Sequence, residues 1–387
     1  MKKSWEKIKD LATRFQDLTD VGIGNVSASA ISAIFWFYIA SLVGVEHYGE
    51  ISYYIAIAGI AGVISMLGGP STVTVYAAKG EKILPQVSLI VIISAFVTSI
   101  VLFFILYYLG ASLYVLGYVV FGLAAAEILG KKLYREYSKY IITQRLLMVG
   151  LALSFYYLLG PHGVVIGIAL SFFPYSIRLY REFKGFNMDF SVLKSKRTFM
   201  MNSYFLDLSR MFSGSVDKLI ITPLFGFTIL GNYQLGIQVL TLLLLVPSVV
   251  GQYTLPQDAS GVYHKKLKKV TILASVLLAI IGIISAHMIL PLVFPKFLHA
   301  KEVVQIMSLA VIPCTVNFMY TSRFLGDLKN KIVLAASGIY MIVQVSSIII
   351  LGNLFGINGI AAGYVIAVSS EATFFICASQ FIKEKAN

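Results

Sequence analysis

The segment LVGVEHYGEISY, residues 42–53, has a counterpart in the second half of the chain, LFGFTILGNYQL, residues 224–235. The two glycines of each segment match at an offset of 182 residues: Gly44 and Gly49 with Gly226 and Gly231. A second pair of segments, LLGPHGVVIGIA from Leu158 and LFGINGIAAGYV from Leu354, matches in three glycines at an offset of 196 residues: Gly160, Gly163 and Gly167 with Gly356, Gly359 and Gly363. Two such sets at equivalent places indicate that the chain consists of two related halves.

The composition is that of a polytopic membrane protein. Of the 387 residues, 58% are hydrophobic and 13% are charged, and the mean hydropathy is +0.83. A soluble domain has about 25% charged residues. Apolar runs recur along the whole chain, which leaves no room for a large soluble domain. At about 20 residues per span, the length allows on the order of a dozen transmembrane helices.

The apolar runs predict twelve spans, at residues 21–44, 51–72, 84–109, 112–130, 140–159, 163–179, 200–224, 229–254, 270–294, 303–325, 332–352 and 358–381. The predicted fold class is therefore an all-α polytopic membrane protein with six helices in each half. Because six is even, the halves insert in the same orientation, as two six-helix bundles around a central cavity. The predicted domains are an N-terminal arm, a first bundle, a cytoplasmic linker and a second bundle: residues 1–20, 21–180, 181–198 and 199–387.

The net charge of +13 is explained by membrane topology and does not indicate a nucleic-acid partner. With the N-terminus inside, 26 of the 31 basic residues fall in inward-facing segments, as the positive-inside rule requires. Both termini are therefore predicted to be cytoplasmic, in the inner cell membrane. The arm carries apolar residues at helical spacing between its lysines, which predicts an amphipathic helix on the inner membrane surface: Trp5, Ile8, Leu11, Phe15 and Leu18.

The seventh span carries four charges, which are Asp207, Arg210, Asp217 and Lys218. At about 100° per residue, all four fall within roughly a 100° arc of the helix. A charge in the middle of a membrane costs at least about 2.5–3.5 kcal/mol, so this face should point toward protein or a wet cavity. The strip therefore predicts a cavity wall.

Two other spans are polar on one face and apolar on the other. In the first span the polar stripe is Asn25, Ser29, Ser32 and Trp36, and in the eighth it includes Gln234 and Gln238. Both stripes repeat at helical spacing, so each lies on a single helix face. Together with the seventh span, they predict a water-filled substrate cavity between the two bundles.

Each of these features also has a structural interpretation. Asp207 and Arg210 are three residues apart and could neutralise each other as a static pair. Lys218 could extend to the outer membrane surface, and Arg145, near the inner end of the fifth span, is expected to extend to the inner one. The stripe of the eighth span could serve helix–helix hydrogen bonding. Glu127 and Glu371 are either proton acceptors or, as we expect, paired structural carboxylates.

Catalytic and metal-binding patterns are absent from the sequence. The five histidines are scattered, without H-x-x-x-H or paired-cysteine spacing, and there is no Walker-type glycine-rich loop and no D-x-D pair at a membrane face. We therefore expect neither an enzyme nor a metal site, and no cofactor beyond a possible coupling ion, H⁺ or Na⁺. The two cysteines, Cys314 and Cys377, lie in apolar segments and are predicted to be small buried hydrophobes.

The sequence resembles the polysaccharide transporter branch of the multidrug/oligosaccharidyl-lipid/polysaccharide (MOP) exporter superfamily, the O-antigen flippase-like proteins. The resemblance covers nearly the whole chain. It is carried by the amphipathic arm with GIGN (22–25), LVGVEHYGEISYY (42–54), VDKLIITPLFGFTILGNYQL (216–235), VPSVVGQYTLPQDAS (246–260) and the two glycine-rich segments that end the halves. Twelve spans instead of fourteen argue against the lipid II flippase branch.

This resemblance implies an alternating-access flippase for a polyprenyl- or dolichyl-diphosphate-linked oligosaccharide, in polysaccharide or glycan biosynthesis. Arg210 and Lys218 would bind the diphosphate, while Asn25, Gln234 and Gln238 would bond sugar hydroxyls. Asp207 and Asp217 would offset the positive charge or bind the coupling ion. Expected partners are the lipid-linked oligosaccharide, membrane lipids, and a glycan polymerase or glycosyltransferase complex. The alternatives are a multidrug (cation) antiporter of the same superfamily and a membrane enzyme acting on lipid-linked sugars.

Overall fold

The computed structural model describes residues 2–81, 83–183, 191–261, 263–297 and 299–384. Every regular element within these ranges is a helix, which confirms the predicted all-helical fold. The predicted amphipathic arm lies within the first helix, but its side chains lie outside the described residues. Its amphipathic character and surface location therefore stay predictions.

The helices follow one another with short connections. They are α1 (Lys2–Val43), α2 (Val45–Met66), α3 (Gly69–Ala78), α4 (Leu84–Leu106), α5 (Leu109–Gly130), α6 (Tyr134–Leu159), α7 (Pro161–Leu170), α8 (Ser176–Phe183), α9 (Ser191–Leu243), α10 (Leu245–Ala259), α11 (Lys265–Met288), α12 (Leu290–Val293), α13 (Ala300–Ser308), α14 (Val311–Gly326) and α15 (Asn330–Glu384). A single 3₁₀ turn, Phe173–Tyr175, separates α7 from α8.

The two longest helices, α9 and α15, are each interrupted by a glycine with non-helical dihedrals. Gly226 has φ 83° and ψ 173°, and Gly356 has φ 60° and ψ −140°. The chain reverses at Gly356. The evidence is that a Cβ added to Gly359 would lie 1.9 Å from the carbonyl oxygen of Leu351. Residues eight apart in a straight helix would be about 12 Å apart along its axis. Helix α15 is therefore two antiparallel limbs that pack closely at this end.

The same close approach occurs between α6 and α7. A Cβ added to Gly163 would lie 2.0 Å from the carbonyl oxygen of Phe155. Both Gly163 and Phe155 match the corresponding residues of α15, Gly359 and Leu351, at the offset of 196 found in the sequence. The two glycine-rich segments therefore form equivalent helical hairpins, which supports the internal repeat.

Nine helices in the described ranges are long and apolar enough to cross a membrane, or ten when the bent pair formed by α13 and α14 is taken as one span. Two of the nine are the interrupted helices α9 and α15, each more than twice the length that a single span needs. Length and composition alone do not fix where the chain crosses, so the number twelve stays a prediction.

Large apolar side chains remain exposed along several of these helices. On α4, the exposed residues include Phe96, Val97, Phe104 and Ile105, and α11 shows a similar apolar face. Soluble proteins rarely expose continuous apolar surface on this scale. The surface is that of a protein whose outer helix faces contact lipid.

The chain divides into two compact units. Unit 1 comprises Met1–Phe35 and Tyr54–Gly214, and unit 2 comprises Trp36–Tyr53 and Ser215–Asn387. The predicted bundles, residues 21–180 and 199–387, are defined by the sequence repeat. The two units are defined by which residues pack together, so their boundaries differ from those of the bundles. Each unit has its own core of fully buried aliphatic and aromatic residues. They include Val91, Val115, Val119 and Leu123 in unit 1, and Ile221, Leu230, Tyr233 and Ile360 in unit 2.

Candidate functional site

The four charges of the seventh span form two separate pairs. Asp207 and Arg210 belong to unit 1, whereas Asp217 and Lys218 belong to unit 2. All four lie on the first limb of α9, before its bend at Gly226. The boundary between the two units falls on this limb, between Gly214 and Ser215, so each pair packs within its own unit, and the single strip stays a prediction.

The pair in unit 1 is loose and open. The Nη1 atom of Arg210 lies 3.8 Å from Oδ1 of Asp207, which is long for a hydrogen bond. The Arg210 side chain is 78% exposed and that of Asp207 is 28% exposed. Ser71 of α3 donates a hydrogen bond of 3.2 Å to the other carboxylate oxygen. Arg210 is thus held weakly and is free to contact a ligand.

The pair in unit 2 is enclosed. The Nζ atom of Lys218 lies 3.2 Å from Oδ1 of Asp217, and the Lys218 backbone N–H donates to the same oxygen at 2.8 Å. The two side chains are only 13% and 10% exposed, so Lys218 does not extend to a surface. Next to them lies the fully buried hydroxyl of Tyr233, which interacts with Asp217 and accepts a hydrogen bond from Nε2 of Gln344 at 3.3 Å. Asp217 is thereby surrounded by polar groups inside unit 2.

Arg145 occupies a position that the sequence did not indicate. Its side chain is largely enclosed in unit 1 and interacts with Tyr114, Tyr118 and Tyr137 instead of extending to the surface. In the part of the chain that the structure describes, no carboxylate lies within ion-pair distance of its guanidinium, whose Nη1 donates a hydrogen bond to the sulfur of Met148 at 3.7 Å. A buried cation of this kind calls for an anionic partner.

Tyr118 lies near both Arg145 and the pair on α9. Its hydroxyl interacts electrostatically with both Arg145 and Asp207. Gly62 of α2 leaves room for this ring, because a Cβ there would lie 2.7 Å from the Tyr118 ring. Tyr114 and Tyr118 are four residues apart on α5, and their rings stack at 5.8 Å. Two tyrosines four residues apart on α5, followed by a charged residue in the next span, Arg145, are the sequence signal from which this part of the site could have been found.

The polar stripe of the first span likewise has residues in both units. Asn25, Ser29 and Ser32 belong to unit 1, whereas Trp36 belongs to unit 2 and packs edge-to-face on Tyr48 at 6.3 Å. Ser29 is exposed and Asn25 is partly exposed. The Ser32 hydroxyl is buried and has no hydrogen-bond partner among the described residues. These positions are available to bind a polar group, and their joint role with Trp36 in a substrate site stays a prediction.

In the eighth span, Gln234 and Gln238 lie on the second limb of α9, in unit 2. The side-chain oxygen of Gln234 is buried without a hydrogen-bond partner within the described ranges. Thr241 and Ser248, which continue the stripe, donate to carbonyl oxygens of their own helical segments at 2.8 Å. Those two hydroxyls therefore donate within their own segments and not to another helix.

The two isolated carboxylates have structural partners. Glu127 accepts a hydrogen bond from Arg178 and forms an ion pair with Lys131, and Arg178 also donates to Glu136, which ties α5, α6 and α8 together. Glu371 accepts a hydrogen bond of 2.8 Å from the Asn317 amide. Both contacts agree with the structural interpretation of these residues.

No group of three or more potential metal ligands is found among the described residues. Cys314 is buried and Cys377 is exposed, and neither forms a disulfide. Cys377 therefore differs from the prediction that both cysteines are buried, because its position on α15 faces outward.

No family model matches the sequence, and no curated protein matches it. Solved structures do match. One is a multidrug resistance MATE family transporter of the MOP superfamily in an inward-facing conformation, with TM-score 0.68 and 14% identity over 94% of this chain and 95% of that chain. An outward-facing structure of the same kind gives TM-score 0.63 and 14% identity over 95% and 96% of the two chains. A mutant of the Vibrio cholerae MATE transporter VcmN gives TM-score 0.58 and 12% identity over 96% of each chain.

The chain therefore has the fold of transporters of the MOP superfamily. This likeness extends over nearly the whole chain and concerns the fold, so membership of the superfamily that the sequence motifs indicate stays a prediction. The polysaccharide transporter branch remains a prediction, because these solved structures are MATE transporters.

Proposed function

We propose that the protein is a multi-pass membrane transporter that works by alternating access. The observation that carries this proposal is the match over at least 94% of the chain to structures solved in both an inward-facing and an outward-facing conformation. Charged pairs inside a membrane-spanning helix fit this proposal, because such groups mark substrate or ion pathways. Chemical conversion of the substrate is not part of the proposed function.

Organic molecules, including cations, are the substrate class that the comparisons favour, and the protein would extrude them. The matching structures are named as multidrug resistance and MATE family transporters. The carboxylates Asp207 and Asp217 supply the negative charge that such a substrate needs. Asp207 is the more accessible of the two, because it is partly exposed and its cationic partner is held at 3.8 Å.

Asp217 is the better candidate for ion coupling. A proton or Na⁺ bound there would weaken the carboxylate's attraction for Lys218 and alter its contact with Tyr233. Both partners are enclosed in unit 2, so the change in charge would be felt in a low-dielectric environment. The driving ion would in this way change the packing around the bend of α9.

A second candidate function is translocation of a diphosphate-linked oligosaccharide on a polyprenyl or dolichyl carrier. It is favoured by one observation, the cationic surplus in unit 1. Arg145 lacks a carboxylate partner within the described residues, and Arg210 is mostly exposed. A diphosphate would supply the missing negative charge. In this proposal glycosyltransferases or a glycan polymerase act on the same lipid-linked substrate, at the inner cell membrane.

Transport by purified protein in liposomes tests both candidates. In one arm the vesicles contain ethidium as the organic cation, and a pH or Na⁺ gradient is imposed. In the other arm a fluorescent oligosaccharide linked to polyprenyl diphosphate is followed across the bilayer. Gradient-driven movement of ethidium supports the first candidate, and movement of the lipid-linked glycan alone supports the second. If neither compound crosses the bilayer while protein-free vesicles remain sealed, both candidate transport functions are wrong.

A further inference from the structure

Unit 2 contains a basic cavity of about 620 Å³ where α11 begins and α14 ends. Its polar wall consists of Tyr263, Lys265, Lys268, Lys269, Tyr320 and Arg323. The volume lies within the range of about 300–1,000 Å³ that is usual for small-molecule sites. Neither candidate transport function uses this cavity.

Two of the four cations in the wall are held by carboxylates. Lys268 forms an ion pair with the buried Asp258, which also accepts a hydrogen bond from Ser322 at 2.6 Å. Arg323 lies 4.0 Å from Asp327 and also donates to Ser379 at 3.1 Å. Both groups therefore have partners within the protein.

The other two cations are not compensated. Lys265 and Lys269 are exposed, and neither lies in an ion pair within the described parts of the chain. Asp327, the partner of Arg323, is already shared with Lys329 and with the hydroxyl of Tyr263, which donates to it at 2.7 Å. That bond raises the pKa of Tyr263, so the phenol stays protonated. The cavity therefore carries surplus positive charge and attracts a phosphate group.

The cavity continues into an apolar track along α11. Ile272 and Leu273 form part of its wall, and Leu273 is 60% exposed. Leu277, Ile281 and Ile284 follow at helical spacing on the same exposed face. Because α11 is apolar enough to cross a membrane, this face lies at the depth of the lipid chains, while the lysines lie where the helix meets the headgroups.

We propose that the cavity binds an anionic phospholipid, with its phosphate between Lys265, Lys269 and Arg323 and one acyl chain along the α11 track. Basic pockets between helices at a membrane face bind anionic headgroups in this way. Arginine and lysine together provide charge-assisted hydrogen bonds to the phosphate oxygens. The apolar track favours a membrane lipid over a soluble phosphate compound, because only a lipid fills both parts.

Native mass spectrometry of the full chain in detergent tests the proposal. The apparent affinities for phosphatidylglycerol and phosphatidylcholine with the same acyl chains are compared for the wild type and two double variants. K265Q/K269Q removes the uncompensated cations of the cavity. K266Q/K331Q is the matched control, since Lys266 and Lys331 are exposed lysines of the same predicted membrane face that do not line the cavity.

The expected result is about tenfold tighter binding of phosphatidylglycerol than of phosphatidylcholine by the wild type. K265Q/K269Q should lose about tenfold in that affinity, and K266Q/K331Q about twofold at most. Equal losses in both variants would overturn the proposal, because they would reflect general surface charge. Displacement of the lipid by glycerol 3-phosphate, which has no acyl chain, would assign the cavity to a soluble anion and would also overturn it.

The variants are expected to fold, because both pairs of lysines are exposed and unpaired within the described residues. Size-exclusion profiles and melting temperatures of the detergent-solubilised variants check this before lipid is added. The melting temperature provides a second readout. Phosphatidylglycerol should raise it in the wild type and in K266Q/K331Q but not in K265Q/K269Q, because a ligand stabilises only the state that binds it.

Discussion

Gly49 and Gly231 pack reciprocally, each against the residue four positions before the other. A Cβ on Gly49 would lie 2.0 Å from the carbonyl oxygen of Phe227, and a Cβ on Gly231 would lie 2.0 Å from the carbonyl oxygen of Val45. Both pairs are related by the offset of 182 residues. In the repeat, Val45 corresponds to Phe227 and Gly49 to Gly231, so exchanging the two segments turns one contact into the other. Contacts that exchange in this way are the signature of a two-fold axis. The repeat found in the sequence is therefore a local pseudo-two-fold in unit 2.

Gly231→Ala tests this contact. We expect a loss of about 1–3 kcal/mol in stability, because the new methyl group overlaps backbone atoms that cannot move aside as a side chain would. The melting temperature of the purified protein in detergent measures the loss. Gly338→Ala is the control, since no atom lies within 4 Å of a Cβ added to this helical glycine.

The control should be unchanged or slightly stabilised, as alanine is the better helix former. Equal melting temperatures for the two variants would contradict the reciprocal packing of Gly49 and Gly231.

Much of the fold was accessible from the sequence because its determinants are local. Apolar runs identify the helices, and glycines mark the places where two backbones touch, as Gly163 and Gly359 do. The arrangement of charges was less accessible. Helical spacing treats a span as one cylinder with one environment, whereas Asp207 and Asp217 on the same limb of α9 belong to different units.

Arg145 shows what the pattern of a residue's own helix cannot supply. The residue lies toward the inner end of a span, and a long basic side chain there is expected to extend to the surface. Its environment depends instead on Tyr114 and Tyr118, which are contributed by another helix. A missing carboxylate partner is a property of the folded chain. No pattern within α6 alone encodes it.

The enclosed pair of Asp217 and Lys218 should behave differently from the open pair of Asp207 and Arg210. Asp217→Asn alone should cost about 3–5 kcal/mol, because it leaves the Lys218 ammonium enclosed without its carboxylate. Asp217→Asn combined with Lys218→Met should recover part of that loss. Melting temperatures of the two single variants and the double variant give the coupling energy.

The matched experiment uses Asp207→Asn and Arg210→Gln. This pair is 3.8 Å apart and its arginine is 78% exposed, so its coupling should be about 0–1 kcal/mol. Similar coupling energies for the two pairs would show that Asp217 and Lys218 are not enclosed as described.

Glu127 should be essential for the stability of unit 1. Glu127→Gln removes the charge that holds both Arg178 and Lys131, and Arg178 keeps its ion pair with Glu136 and its contact with the Tyr140 ring. We expect a loss of about 3–5 kcal/mol, measured by thermal unfolding in detergent. Glu81→Gln, which breaks a half-exposed pair with Lys196, should cost about 0–1 kcal/mol. A small effect of Glu127→Gln would instead leave Glu127 available as a proton acceptor.

Stability and transport should respond in opposite directions at Arg145. A charge kept without a carboxylate partner among the described residues lowers stability, so Arg145→Met should leave the melting temperature unchanged or raise it. If the second candidate function holds, flipping of the lipid-linked diphosphate in liposomes should fall about tenfold or more, while ethidium transport is unaffected. Arg135→Met, at the exposed start of α6, should change neither quantity. A melting temperature lowered as much as in Glu127→Gln would make Arg145 a structural residue and remove the observation that favours an anionic substrate.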